Sequence, residues 1–193
     1  MTVLVKKFRE LPPPDRREAM RYAGVLDNNE GAFALFEECT AELEMHFGVC
    51  YTELPLEINE DTCIFGNFSV CSASLAKRLA KCKKALVFCA TVGSHADRLI
   101  SKYSRISPSR AVMISALATE RVECLCDEFC KSYAEENLLS LSPRFSPGYG
   151  DLPLSFQKEL FSLLSPCCRI GVSLGDSLLM SPSKSVTAIV GIL

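Results

Sequence analysis

The chain has little from which to build a metal or hydrolytic centre. It holds only two histidines, His46 and His95, and no Cys-x-x-Cys pair, so the ligand spacing of a zinc site is missing. No Gly-x-Ser-x-Gly elbow surrounds a serine. Ser94 beside His95 is therefore read as a plain helix N-cap rather than part of a hydrolase. Apolar runs fall well short of a membrane span, and the opening MTVLVKKFRELPPP has neither the apolar core nor the cleavage site of a secretory leader. The net charge is -2, which excludes a general nucleic-acid binder, because phosphate neutralisation needs clustered positive charge. Together these absences predict a cytoplasmic protein with no nucleic-acid and no membrane partner.

What is present is an ordinary globular balance. The 193 residues are 48% hydrophobic and 23% charged, enough for one domain over 1–193 with a real core. Residues 1–14 read as an N-terminal arm ending in the stiff run Pro12-Pro13-Pro14. The eleven cysteines are odd in number, and nothing suggests secretion, so a disulfide framework is not expected. They read as small buried apolar residues. Cys126 and Cys130, four apart on one helix face, are the nearest approach to a ligand pair for an alternative redox or metal protein.

In chain order, Asp15 caps a short helix that Gly24 ends. A second helix starts at Asp27 with Glu30 as its capping-box partner. Phe33, Phe36, Leu43 and Phe47 form its stripe, with His46 near its end and Gly48 as C-cap. Short strands follow between Cys50 and Cys71, turning at Gly66-Asn67. Helix Ser72–Lys81 carries Lys77, Arg78 and Lys81, with Lys83 and Lys84 beyond, and is the one basic patch read from the sequence. It is a solvated helix end or a docking patch for an acidic partner. ALVFCAT over Ala85–Thr91 is a strand covered on both faces, followed by Val92-Gly93-Ser94 and a helix over Ser94–Ser104. The strand, glycine and helix start resemble the backbone arrangement of an anion site, with Ser94 as a plain N-cap the simpler reading.

Pro108 introduces a long helix, Ser109–Glu136, with Ile114, Ala118, Val122, Leu125, Phe129 and Tyr133 as its core stripe. Glu120, Glu123 and Asp127 line an adjacent edge, where carboxylates are usually solvated. A helix Phe156–Leu164 ended by Pro166 and a final strand with Val186, Ala188, Val190 and Ile192 on alternate positions complete the chain. Ending at Leu193, inside an apolar strand, reads as truncation. The fold expected is α+β, a mixed, largely antiparallel sheet packed with several helices.

Two linked segments carry more than structure. Arg144-x-x-x-Gly148-Tyr149-x-x-x-Pro153 fixes an Arg and a Tyr in a loop bounded by Pro147 and Pro153, which is costly to order. Further on stands Leu174-Gly-Asp176-Ser177-Leu-Leu-Met180-Ser-Pro182, then Ser185-Val186. In this order and spacing the pair resembles the activation (reactivation) domain of cobalamin-dependent methionine synthase. The Ala116–Glu123 stretch is similar to that family's ligand-binding helix, with Glu123 at the position of its glutamate. Asp176 stands where the family commonly has glutamate, Gly175 where it has threonine, and Ser181 where it has tryptophan. No counterpart of the family's N-terminal acidic ligand is assigned.

The resemblance implies S-adenosylmethionine binding through Arg144, Pro147, Gly148, Tyr149 and Glu123. The residue types suit that ligand: a guanidinium fork for its carboxylate, and a carboxylate or aromatic face for its sulfonium. Asp176, Ser177, Met180 and Pro182 would form a cobalamin-facing or docking loop. The implied role is that of a component of reductive reactivation, without a complete catalytic activity of its own. It would present the methyl donor to cob(II)alamin carried by a separate methionine synthase or related corrinoid protein, with an electron donor as a further partner. The alternative is the same fold acting as a protein-binding module for another corrinoid methyltransferase, with methyl-donor binding weakened or lost.

Overall fold

The computed structural model describes residues 2–25 and 30–193. Strand β1 (Leu4–Phe8) lies inside the stretch read as an arm. Helix α1 (Arg16–Ala23) begins as expected: the Asp15 carboxylate accepts from the N–H groups of Arg17 at 2.8 Å and Glu18 at 3.1 Å. Gly24, at φ 69°, ends it. Helix α2 (Glu30–Glu42) follows, and the Asp27 start lies outside the described residues.

The predicted C-terminus of α2 is overturned. Phe47 and Gly48 belong to a thirteen-residue strand, β2 (Phe47–Asn59). The His46 N–H donates to the Val92 carbonyl at 3.1 Å, and Gly48 pairs with Thr91 in the sheet. Sheet pairing thus takes the backbone groups that a longer helix would have used internally. His46 sits beyond the helix rather than in its last turn.

Strands β3 (Thr62–Phe65) and β4 (Phe68–Cys71) flank the Gly66-Asn67 turn. Helix α3 (Ala73–Leu79) is capped by Ser72, and strand β5 (Lys84–Thr91) is buried along nearly its whole length. Helix α4 (His95–Ile106) leads through Pro108 into the thirty-residue α5 (Pro108–Asn137), whose six predicted core residues are all buried. Ser94 makes no side-chain cap; its hydroxyl accepts from Arg98 Nη1 at 2.7 Å instead. Beyond a 3-10 turn come α6 (Gln157–Leu164) and α7 (Pro166–Ile170). Pro166 opens a new helix rather than only ending the old one, since a first-turn position needs no N–H. The small hairpin β6 (Ser173–Leu174) and β7 (Met180–Ser181) precedes the last strand, β8 (Ser185–Ile192).

The fold is α+β, and every strand pair is antiparallel. The main sheet runs β4-β3-β2-β5-β8, with β1 also on β2. The length of β2 makes this possible: it pairs β1 through Phe47–Tyr51 and β3 through Leu56–Asn59. Helices cover both faces, which is why β5 reads as an unbroken apolar run. Leu86, Phe88, Ala90, Ala188 and Val190 meet the core of α5, where the Phe129 ring lies 5.0 Å from those of both Tyr51 and Phe88, tilted or edge-on to each. Ala85, Val87, Cys89 and Ile189 point the other way, into the core beneath α3 and α6. No helix among the described residues is long and apolar enough to cross a membrane.

Candidate functional site

The Arg144 loop is laid down by the edge of the sheet. After α5 the chain runs beside β8, bridging Leu141 to Ile192 and Phe145 to Ile189. Phe145 and Ile189 exchange both backbone bonds, at 2.9 and 2.8 Å. Arg144 is thereby held in extended chain next to α5. The loop then folds on itself, with the Gly148 N–H donating to Leu152 O and the Tyr149 N–H to Ser146 O. Gly148 has φ 90°, a conformation that a side chain would strain. Asp151 locks the far end against α3. Its carboxylate accepts from Ser72 Oγ at 2.5 Å and from the N–H groups of Ala73 at 2.7 Å and Ser74 at 3.2 Å.

The loop and α5 enclose a cleft of about 620 Å³ lined by Glu123, Asp127, Lys131, Arg144 and Tyr149, among others. Arg144 Nη2 donates to Glu123 Oε2 at 3.0 Å and to Asp127 Oδ1 at 2.8 Å. Both bonds use one nitrogen, so Nε and Nη1 have no protein partner among the described residues. Tyr149 is 56% exposed, with its ring edge-on to Phe145 at 6.1 Å. Pro147 is buried beneath the loop, and Gly148 is exposed. Cys130 also lines the cleft; burial pushes its thiol up to about 11, so it is neutral there.

The acidic edge of α5 is not simply solvated. Glu120 is 6% exposed, paired with Arg121 at 2.5 Å, while Arg121 also donates to Pro13 O at 3.4 Å and ties down the proline run. Glu123 and Asp127 hold Arg144. The sequence reading missed Asp127 and Lys131 as cleft residues, although Glu123, Asp127 and Lys131 follow four-residue steps and so share one helix face.

The second predicted segment lies elsewhere. Residues 174–182 do not line the Arg144 cleft; Val186 does. They form the β6–β7 hairpin, in which the Gly175 N–H donates to Leu179 O at 2.9 Å. Asp176 and Ser177 are exposed at its tip, beside Leu179 at 69% exposure. Met180 packs against the core under α6, and Pro182 is buried. The base is anchored to α4, where Asp97 Oδ2 accepts from the Ser183 N–H at 2.7 Å. In the glycine turn before α4 the Gly93 N–H is taken by Thr91 Oγ1 at 3.1 Å, so that N–H is not free for an anion.

Six of the eleven cysteines are buried and all are free. Among the described residues, no group of three or more His, Cys, Asp or Glu is placed to hold a metal ion.

No family model and no curated protein matches this chain. Among solved structures it is similar to the crystal structure of the MetH reactivation domain bound to AdoHcy. The TM-score is 0.71 at 15% identity, over 99% of this chain and 78% of that chain. The chain has the fold of the MetH reactivation domain. At that identity the likeness is one of fold, and it extends over both the Arg144 loop and the hairpin.

Proposed function

We propose that this protein binds S-adenosylmethionine in the Arg144 cleft and presents its methyl group for reductive methylation of cob(II)alamin carried by a separate cobalamin-dependent methionine synthase. The observation that carries the reading is Arg144 itself: one guanidinium nitrogen fixed by Glu123 and Asp127, two without a protein partner among the described residues, and Tyr149 in the same cleft. A fixed fork binds a carboxylate at little ordering cost. The neighbouring carboxylates and the aromatic face suit a sulfonium cation. The volume falls within the roughly 300–1,000 Å³ of small-molecule sites, and the likeness to a domain solved with AdoHcy supports the same ligand class.

The corrinoid of the partner supplies the methyl acceptor once an external donor has reduced it. The residues of this chain bind and orient the donor, so their contribution is positioning. The exposed hairpin tip at Asp176, Ser177 and Leu179 is the surface proposed to meet the corrinoid protein. Calorimetric titration with S-adenosylmethionine is the test. Saturable binding by the wild type, lost in Arg144→Ala, is expected; equal affinity in both proteins would refute the assignment.

One observation favours a second reading, a docking module that has lost the methyl donor: Arg144 is already paired with two carboxylates. That reading requires a flat isotherm for the wild type, both alone and with a cob(II)alamin-loaded methionine synthase present.

A further inference from the structure

A second cleft, of about 640 Å³, is lined by Lys7, Arg9, His46, Thr91, Arg169 and Pro182, with the backbone of Gly48 and Gly93, and among the described residues no carboxylate lines it. Its floor is a row across three strands, Lys7 pairing with Gly48 and Gly48 with Thr91; beyond it, Thr91 pairs with Ser185. Paired residues in an antiparallel sheet point to the same face, and alternate residues along a strand share it. Lys7 therefore lies on the Gly48 and Thr91 face, and Arg9, just beyond the end of β1, lines the same cleft. Lys6 takes the other face, where it bonds Ser132 of α5 at 3.0 Å. Val186, in the Arg144 cleft, alternates with Ser185, so the two clefts use opposite faces.

Gly48 lets Ile170 pack close over this row: a Cβ there would lie 3.3 Å from Ile170 Cγ2. Arg169 is held at the rim by neutral acceptors, Nε on Leu164 O at 3.1 Å and Nη1 on Val3 O at 3.4 Å. Among the described residues, none of Lys7, Arg9 and Arg169 takes part in an ion pair, in contrast to Arg144 or Arg110. The adjacent carboxylates in sequence, Glu10 and Glu44, do not line the cleft. These cations are far apart in the sequence and only the sheet collects them, so the basic patch read at Lys77–Lys84 is not the only one.

We propose that this cleft binds a small soluble anion bearing phosphate, of the size of a nucleoside diphosphate. Two guanidinium groups and an ammonium line one concave surface, and no carboxylate among the described residues lines it. Guanidinium forks match phosphate oxygens in pairs, and an ammonium adds a point charge. The space exceeds a bare phosphate and suits a phosphorylated organic molecule. A phosphorylated lipid headgroup would present the same chemistry, and the experiment separates the two sources.

The full chain is titrated calorimetrically with ADP and with pyrophosphate at about 0.15 M salt, where exposed charges are screened beyond about 8 Å. Saturable one-to-one binding is expected, weakened at least about tenfold in Lys7→Glu/Arg9→Glu by loss of charge-assisted bonds. It should be unchanged in Arg144→Ala and in Lys77→Glu/Lys81→Glu. A wild type with no saturable binding overturns the proposal, as does a Lys7/Arg9 variant with wild-type affinity or an equal loss in the Lys77/Lys81 variant. Lys7→Gln takes the place of the double variant should the latter not fold. In a second arm, the protein is sedimented with phosphatidylcholine vesicles containing a phosphoinositide. Release from the vesicles by ADP, or no sedimentation at all, supports the soluble ligand; retention under saturating ADP overturns it.

Discussion

Arg144 Nη2 lies 3.0 Å from Glu123 Oε2, twenty-one residues back in the chain. That ion pair joins the loop to the long helix and sets the charge of the cleft. Glu123 therefore has two roles in the proposed site: it orients the guanidinium and it lies within reach of a cationic ligand.

Glu123→Gln separates these roles. S-adenosylmethionine carries a sulfonium charge that S-adenosylhomocysteine lacks, so the variant should lose more affinity for the first than for the second. A difference of about tenfold, or ~1.4 kcal/mol, is expected by calorimetry. Equal losses for both ligands would confine Glu123 to holding Arg144.

Gly191 of β8 packs tightly against Leu79 of α3 and Cys82. A Cβ there would fall 2.3 Å from Cys82 Sγ and 2.9 Å from Leu79 Cδ2. Gly191→Ala should destabilise the protein by about 1–3 kcal/mol in urea unfolding, as overpacked cores do. Adding Cys82→Ala should recover part of the loss. An unaffected Gly191→Ala would mean that the strand shifts freely.

Asp151 links loop stability to pH. The hydrogen bond from Ser72, followed by those from Ser74 and Ala73, holds its carboxyl below the ordinary value. A carboxyl depressed in the folded state stabilises fully above its unfolded pKa, and that contribution fades as pH falls through the folded one. Asp151→Asn should thus lower the melting temperature at neutral pH, and the gap from wild type should close below the ordinary carboxylate range. A gap constant with pH would contradict this.

The cysteines should divide by burial. Under native conditions a thiol reagent should reach Cys71, Cys167 and Cys168 quickly, because these are exposed. Cys39, Cys50, Cys63, Cys82, Cys89 and Cys126 should react only on unfolding. Burial raises the thiols of Cys39 and Cys63 to about 11, which also suppresses the reactive thiolate. Rapid labelling of all eleven would show that the core opens readily.

Local physics was legible in the sequence. The Asp15 and Gly24 caps, the Gly66-Asn67 turn, the α5 stripe and the two-faced β5 each depend on a short window of residues, and each is found where it was read. The Arg144 and Asp176 motifs likewise carried the resemblance that the fold bears out. Where two local readings compete, the sequence alone does not choose. Leu43 and Phe47 fit a helix as well as a strand, and only pairing with β1 and β5 makes Phe47 and Gly48 part of β2.

Tertiary structure alone decided which charges meet. Glu123 and Asp127 become partners of Arg144 because the chain after α5 returns along β8. Lys7, Arg9 and Arg169 share a cleft because β1 is laid on β2 beside α7. Charge acts through space and periodicity through sequence, so the helices and strands could be read from their residues, whereas both clefts depended on how those elements pack.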